Sequence, residues 1–349
     1  MTQIGKLTLA APYFQAGLAG YSDAAMRLIA RRHGAPFCVT EAMLDQFLLQ
    51  GGKGLAAAEL DAADHPIAGQ LMGSHPGEIG QAAKILVRLG YDVIDVNLAC
   101  PVKKIRKRAR GGHLLCVPEE ATAILKSVRD AVAGERPCTV KLRRASNDSA
   151  EAEANFRQIL EAAIELGYAA AVVHGRTVEQ KYLGPAKWPE LRRIARDYAG
   201  TPGFTLGGSG DIWSAHDIFR MIDETGVQLV SVARGCIGNP WIFRQAAAIL
   251  AGDPEAGRRP PTIREQRAVL LEHFQLSRDL HGEKRAGMMM RKFGIKFSRH
   301  HPEGETVRQA FIKVKSLRDW ESVLKTHYTG DGPGVAVEAA KRTALAMAP

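Results

Sequence analysis

The sequence predicts a (β/α)8 barrel followed by a small all-helical domain. Three observations carry this. Short β-rich runs recur about eight times within residues 1–251, amphipathic segments separate most of them, and beyond a Gly- and Pro-rich break at 252–262 only helical patterns remain. Strand–helix alternation over about 240 residues implies a parallel sheet, and eight units favour a closed barrel over an open doubly wound sheet. Periodicity alone does not show closure, so the open sheet stands as the alternative.

The strands are expected, in order, at 7–11 with 13–16, 37–41, 66–72, 93–98, 138–142, 170–174, 203–206 and 229–233. Between them, 77–89, 118–133, 150–166 and 213–224 place apolar residues three and four apart, the spacing of one helical face. Residues 252–262 read as a linker. Helices resume at 263, where Thr262 and Glu265 have capping-box spacing and Val269, Leu270, Phe274 and Leu280 form an apolar stripe. Further helical stretches are expected near 284–300 and 304–324, giving a helical domain over 263–330 and a tail at 331–349.

Composition excludes whole classes. At 349 residues, 46% hydrophobic and 24% charged, the chain is long enough for a large core and too apolar for wholesale disorder. No run approaches 18 uninterrupted apolar residues, and the N-terminal residues lack a cleavable secretory pattern, so a cytoplasmic protein without membrane contact is expected. The five cysteines are scattered, with no Cys-x-x-Cys pair, so no metal site is expected. The net charge of +10 is concentrated. Lys103, Lys104, Arg106, Lys107, Arg108 and Arg110 contribute +6, and residues 263–349 hold 16 Lys/Arg against 10 Asp/Glu, another +6. Such clustering suits a polyanionic partner as well as a solvated face.

In such a barrel the chemistry belongs at the carboxyl ends of the strands. The fourth run ends Asp95-Val-Asn97-Leu-Ala-Cys100-Pro101, putting an amide and a thiol at a strand mouth. That thiol is a candidate nucleophile or, kept protonated, a general acid; the basic run after it favours the thiolate. Lys141 and Arg143 close the fifth run, and His174 and Arg176 the sixth. A buried ammonium such as Lys141 needs an anion or an electron-rich ring. Glycine-rich turns at Ser209-Gly210-Asp211 and Ala233-Arg234-Gly235 follow the seventh and eighth runs, where barrels of this kind hold phosphate on backbone N–H groups.

These residues, with Leu18-Ala-Gly-Tyr-Ser-Asp23, Gln70-Leu-Met-Gly-Ser74, Tyr182, Gly184, Gly238-Asn-Pro-Trp-Ile-Phe243 and Met290-Arg-Lys-Phe-Gly294, resemble the tRNA-dihydrouridine synthases, and among them the bacterial B type. The resemblance covers most of the chain in order, and Asn97-x-x-Cys100-Pro101 with basic residues behind it is its most specific element. It implies an FMN enzyme using NADPH or NADH to reduce the uracil 5,6 double bond in tRNA. Gly17, Leu18 and Ala19 would pass the flavin ring by backbone, Gln70 would bond its pyrimidine edge, and Lys141 would lie at its N1/O2 side. His174, Ser209, Gly210, Asp211, Ala233 and Arg234 would surround its phosphate. Asn97 would seat the target base and Cys100 would give it a proton. Lys103, Lys104, Arg143, Arg176, Arg291 and Lys292 would contact the RNA, and a monomer is expected. Three positions depart from the family pattern: Gly17 stands for Pro, Ser209 for Asn and Ala233 for Gly. A flavin barrel acting on a small pyrimidine or enone, one acting on ribosomal RNA, and an RNA-binding barrel without catalysis are the alternatives.

Overall fold

The computed structural model describes residues 2–336; residues 337–349 of the expected tail lie outside the described residues. Eleven strands occur among them. β1 (Thr2–Ile4) and β2 (Leu7–Leu9) form an antiparallel hairpin, and β3 (Tyr13–Gln15), β4 (Cys38–Val39), β5 (Met43–Leu44), β6 (Ile67–Met72), β7 (Val93–Asn97), β8 (Cys138–Arg143), β9 (Ala170–His174), β10 (Thr205–Ser209) and β11 (Leu229–Val232) form one parallel sheet. β11 pairs with β3, β3 with β4, and β4 with β6, so the sheet closes on itself as an eight-stranded barrel with β5 as a short extra strand on β6. Closure removes the open-sheet alternative.

Two expected strands are corrected. Residues 7–9 do not enter the barrel but pair with Thr2–Ile4, and Ile4 and Leu9 join the apolar cluster with Phe14, Val93 and Leu229. The hairpin's own apolar alternation mimics that of a barrel strand. The seventh barrel strand runs through Ser209 instead of ending at 206. Gly207 and Gly208 lie inside it, where a Cβ would stand 3.0 Å from Val172 and 2.9 Å from Met221, so these glycines answer a packing demand and not a turn.

Alternation along the strands sorts the lumen. Register puts Ala68, Val93, Ala170, Leu229 and Phe14 in the apolar cluster at the amino-terminal level, while Gln70, Asp95, Asn97, Thr139, Lys141 and His174 occupy the same face farther along their strands. The opposite face, with Leu71, Ile94, Val96, Val140, Leu142 and Val173, is buried and apolar, as a parallel sheet covered by helices requires. Helices Pro76–Arg88, Pro118–Val132, Ala150–Glu165, Trp188–Tyr198 and Ala215–Thr225 follow successive strands.

By packing, the chain divides into two units. The first comprises residues 1–22, 36–212 and 217–233, and the second residues 23–35, 213–216 and 234–349. The second unit is thus drawn from three stretches, with helix Ala24–Arg32 and helix Trp241–Leu250 joining Ile263–His281, Glu283–Phe297, Gly304–Lys313 and Leu317–His327. Thr262 and Glu265 make the capping box expected of them. The stretch expected as one helix over 304–324 is two, because Ser316 and Asp319 form a second capping box that starts a new helix. Trp241 is fully buried against Phe297 and His300, and Met290 and Phe293 are core, so two of the sequence elements that carried the resemblance pack this unit. Described tail residues are tied to it: Gly332 O accepts from Ile263 N at 3.0 Å and Val335 N donates to His300 O at 2.9 Å.

Two glycines of helix Glu283–Phe297 separate packing from propensity. A Cβ on Gly294 would lie 2.3 Å from the buried Phe311 ring, whereas one on Gly287 would meet nothing within 4 Å. Gly294→Ala should therefore lose about 1–3 kcal/mol of stability through overpacking despite its better helix propensity. Gly287→Ala should gain up to about 1 kcal/mol. Urea unfolding of the two variants checks both signs.

Candidate active site

The polar ends of β6 to β10 face one another within the first unit. Gln70 and Asp95 are direct cross-strand partners, as are Asp95 and Thr139, Asn97 and Lys141, and Ser209 and His174. Gln70 Nε2 donates to Asp95 Oδ2 at 2.8 Å, Thr139 Oγ1 to Asp95 Oδ1 at 2.6 Å, and Asn97 Nδ2 to Gln70 Oε1 at 2.7 Å. Burial pushes the Asp95 carboxyl up to about 6, opposed by the Thr139 and Gln70 hydrogen bonds and by the charge of Lys141. Asp95 and Thr139 were not among the expected site residues. Their signal was the pairing of polar residues two apart on otherwise apolar strands, Asp95 with Asn97 and Thr139 with Lys141.

Lys141 donates to Ser209 Oγ at 2.9 Å and to the carbonyls of Leu142 and Val172 at 3.4 Å, and it has no ion-pair partner among the described residues. Burial, with the Arg143 charge added, pulls its pKa down to about 7, against the pull of Asp95. The ammonium is held by neutral oxygens alone. His174 Nδ1 accepts from Arg176 N at 3.0 Å, which puts the proton of the neutral ring on Nε2.

Four backbone groups of the Cys100 turn are fixed. Asn97 Oδ1 accepts from Ala99 N at 3.0 Å and Cys100 N at 3.1 Å, Arg143 Nε donates to Ala99 O at 2.9 Å, and Gly112 N donates to Cys100 O at 3.0 Å. Gly111, at φ +58°, packs so closely that a Cβ would stand 2.9 Å from Cys100 Cβ. Sequence reasoning passed over this glycine pair. The Cys100 thiol is raised above its ordinary pKa by burial, which outweighs the lowering by a Val102 backbone hydrogen bond and by Arg143. The expected thiolate-favouring field of the basic run does not prevail, because Lys103, Lys104, Lys107 and Arg108 are exposed and screened by water. The thiol is protonated at neutral pH.

Other expected site residues divide. Gly17 and Leu18 are half-buried and Ala19 is exposed on the loop that leaves β3, which settles the first-strand register with Ala11-Pro12 ahead of the strand. Ala233 follows β11 directly, whereas Arg234 belongs to the second unit, its guanidinium 4.9 Å from the Trp213 ring centroid. Three cations differ from expectation. Arg143, 4% exposed, also donates to the carbonyls of Thr177 and Lys181, both at 2.8 Å. Arg176, 2% exposed, bridges both Asp211 oxygens at 2.8 and 2.9 Å and bonds Gly184 O. Their guanidinium groups brace loops, and the Asp211 carboxylate, which also accepts from Ala186 N, is engaged likewise. Arg110, counted in the basic run, is buried and 3.5 Å from the buried Asp45. Arg291 is exposed and Lys292 half-buried on the second unit's helix Glu283–Phe297. Among the described residues no helix is long and apolar enough to cross a membrane, and no cluster of His, Cys, Asp or Glu could hold a metal ion.

A barrel that gathers a protonated thiol, an oriented amide pair and an ammonium with no carboxylate bonded to it at its strand mouths has the build of an enzyme. The sequence matches the dihydrouridine synthase (Dus) family model over residues 14–329. It is 32% identical to a probable tRNA-dihydrouridine synthase of Treponema pallidum, covering 92% of this chain and 94% of that one, and 32% identical to tRNA-dihydrouridine synthase B of Shewanella oneidensis, covering 86% and 87%. The chain belongs to the dihydrouridine synthase family and is an oxidoreductase. Among solved structures it is similar in fold to histamine dehydrogenase from Rhizobium sp. 4-9 (TM-score 0.56, 16% identity, 79% of this chain) and to 6-hydroxypseudooxynicotine amine oxidase from Pseudomonas geniculata (TM-score 0.57, 14% identity, 77% of this chain). It spans about half the length of each, 50% and 52%.

The lowered pKa of Lys141 has a signed consequence. Unfolded, a lysine keeps its proton to about pH 10.4, so between about 7 and that value the unfolded state binds the extra proton and stability rises with pH. Below pH 7 both states are charged and the burial penalty is felt in full. In cofactor-free protein, the stability of Lys141→Met relative to wild type should be greatest near pH 6 and decline by pH 9, read by urea unfolding at both values.

Proposed function

We propose that the protein reduces specific uridines of tRNA to dihydrouridine, with FMN as cofactor and NADPH or NADH as reductant. One observation carries the reading most: Cys100 is held protonated in a turn whose Ala99 and Cys100 N–H and C=O groups are all hydrogen-bonded, just beyond Asn97. Reduction of the 5,6 double bond requires hydride at C6 and a proton at C5, where enolate-like charge gathers.

The donor set suits the cofactor. The Lys141 ammonium, without a carboxylate partner, answers the electron-rich N1/O2 edge of an isoalloxazine, Gln70 its pyrimidine edge, and Gly17, Leu18 and Ala19 its ring. His174 with its Nε2 proton, Ser209, Gly210 and Ala233 lie at adjacent strand ends where a ribityl phosphate would be held. When bound, FMN supplies the hydride and is recharged by the nicotinamide. Asn97 holds the uracil, and Cys100 gives its thiol proton to C5 and regains one from solvent. A base within folded RNA must first leave its stack to reach a strand mouth. Lys103 and Lys104, with Arg291 and Lys292 of the second unit, supply cations for phosphates. The helical segment over 263–330 is read as the RNA-binding domain, and the protein as a cytoplasmic monomer. The exposed loop charges favour RNA over a free pyrimidine, which needs none of them.

Three outcomes test this. The protein should purify yellow with noncovalent FMN. Cys100→Ala should then leave flavin reduction by NADPH within about threefold of wild type while slowing reoxidation by tRNA at least about 100-fold, the scale of a lost general acid. Equal loss in both half-reactions would show Cys100 supporting the cofactor instead. In a salt titration of tRNA affinity, Lys103→Ala with Lys104→Ala should flatten the log–log slope by about 0.7–0.9 for each phosphate left without its lysine, with FMN content unchanged.

A further inference from the structure

The two ends of the polar chain around Asp95 dictate its direction. At one end, the Ala99 and Cys100 N–H groups both point at Asn97 Oδ1, which fixes that side-chain amide with Nδ2 toward Gln70. Gln70 must then offer Oε1 to Asn97 and turn Nε2 the other way, toward position 95. At the other end, Thr139 donates its hydroxyl proton to Asp95. Position 95 thus accepts twice and donates nothing, the pattern of an ionised carboxylate; because the Thr139 hydroxyl can also accept, it is Gln70 Nε2 that requires an acceptor at this position. An amide there would have one donor side, and an apolar group would leave Gln70 Nε2 without an acceptor in a residue 5% exposed.

We propose that Asp95 is a positioning residue for the reaction: through Gln70 and Asn97 it sets the orientation of both side-chain amides and thereby holds the backbone turn that presents the Cys100 thiol. Its role as an aid to proton donation rests on the reading of Cys100 given above. Strand register makes the arrangement specific, since Gln70, Asp95 and Thr139 are direct partners on three neighbouring strands and Asn97 lies one inward position farther along β7. Asp95 is ionised at neutral pH despite its burial because Thr139, Gln70 and the Lys141 charge stabilise the anion. The orientation also selects what a ligand meets. Each amide oxygen is already engaged and each amide keeps one N–H, so Gln70 and Asn97 present donors, the complement of a carbonyl edge. Reversed, they would present oxygens to oxygens.

The test reads the turn itself, by amide hydrogen exchange of Ala99 and Cys100, beside uridine reduction. Asp95→Leu removes the acceptor, and exchange at both amides should accelerate at least about fivefold, with uridine reduction slowed about tenfold or more. The double variant Asp95→Asn with Gln70→Glu moves the carboxylate one strand over. The new amide at 95 accepts from Thr139 and donates to the new carboxylate at 70, which also accepts from Asn97, so the direction at Asn97 is restored. Its Ala99 and Cys100 exchange should return to within about twofold of wild type, an outcome that stands even if Asp95→Leu fails to fold. Unchanged exchange in Asp95→Leu, or exchange in the double variant as fast as in Asp95→Leu, would overturn the proposal. If exchange behaves as stated but the wild type reduces no uridine, the positioning holds and the functional reading falls.

Discussion

The register of β6, β7 and β8 is the constraint on which the site depends. Because side chains alternate faces, a slip of one residue in β7 would send Asp95 and Asn97 toward the helices and bring Ile94 and Val96 into the lumen. The correct register does two things at once. It gives the Asp95 carboxylate two donors and it sets the Lys141 ammonium near enough that each charge eases the burial of the other. Two ionisable groups in a lumen whose other end is apolar would otherwise lose their charges. Barrel closure supplies this register, since β6, β7 and β8 are each paired on both sides.

Much of the fold was legible because it rests on local periodicity. Alternating strand and helix signals and the Thr262–Glu265 cap are short-range features, and both appear. What escaped depends on neighbours distant in sequence. Gly207 and Gly208 look like a turn until Val172 and Met221 are placed beside them. Arg110 reads as one more surface cation until Asp45, 65 positions earlier, is found against it. Of the candidate site, the strand-end groups Asn97, Cys100, Lys141, His174 and Ser209 could be named from sequence because parallel strands deliver their ends to one rim. The protonation of Cys100 could not, since it is set by burial opposing a field whose screening only the fold determines.

The sequence elements that carried the resemblance are chemically of two kinds. Those in the first unit place polar and titratable groups at strand ends, as at 95–101 and 140–143. Those in the second, at 238–243 and 290–294, bury Trp241, Phe243, Met290 and Phe293. A matching motif there testifies to how helices pack and carries little information about chemistry. Arg143 and Arg176 are an intermediate case, reactive-looking cations whose hydrogen bonds go to loop carbonyls and to Asp211.

The hydrogen bond from Gly112 N to Cys100 O, with Gly111 packed on Cys100, joins the two stems of the basic loop. Residues 101–111 therefore form an excursion that leaves and re-enters the fold at one point. Closing such an excursion costs only about 0.6 kcal/mol more for each doubling of its length. The thiol's placement rests on the stems, Val102 on one side and Gly111 and Gly112 on the other, so the exposed span between them is exchangeable: its length and outward charges can change while Cys100 stays where it is. Arg110 is the exception, because its partner Asp45 ties the distal stem to another corner of the barrel and must travel with any transplant.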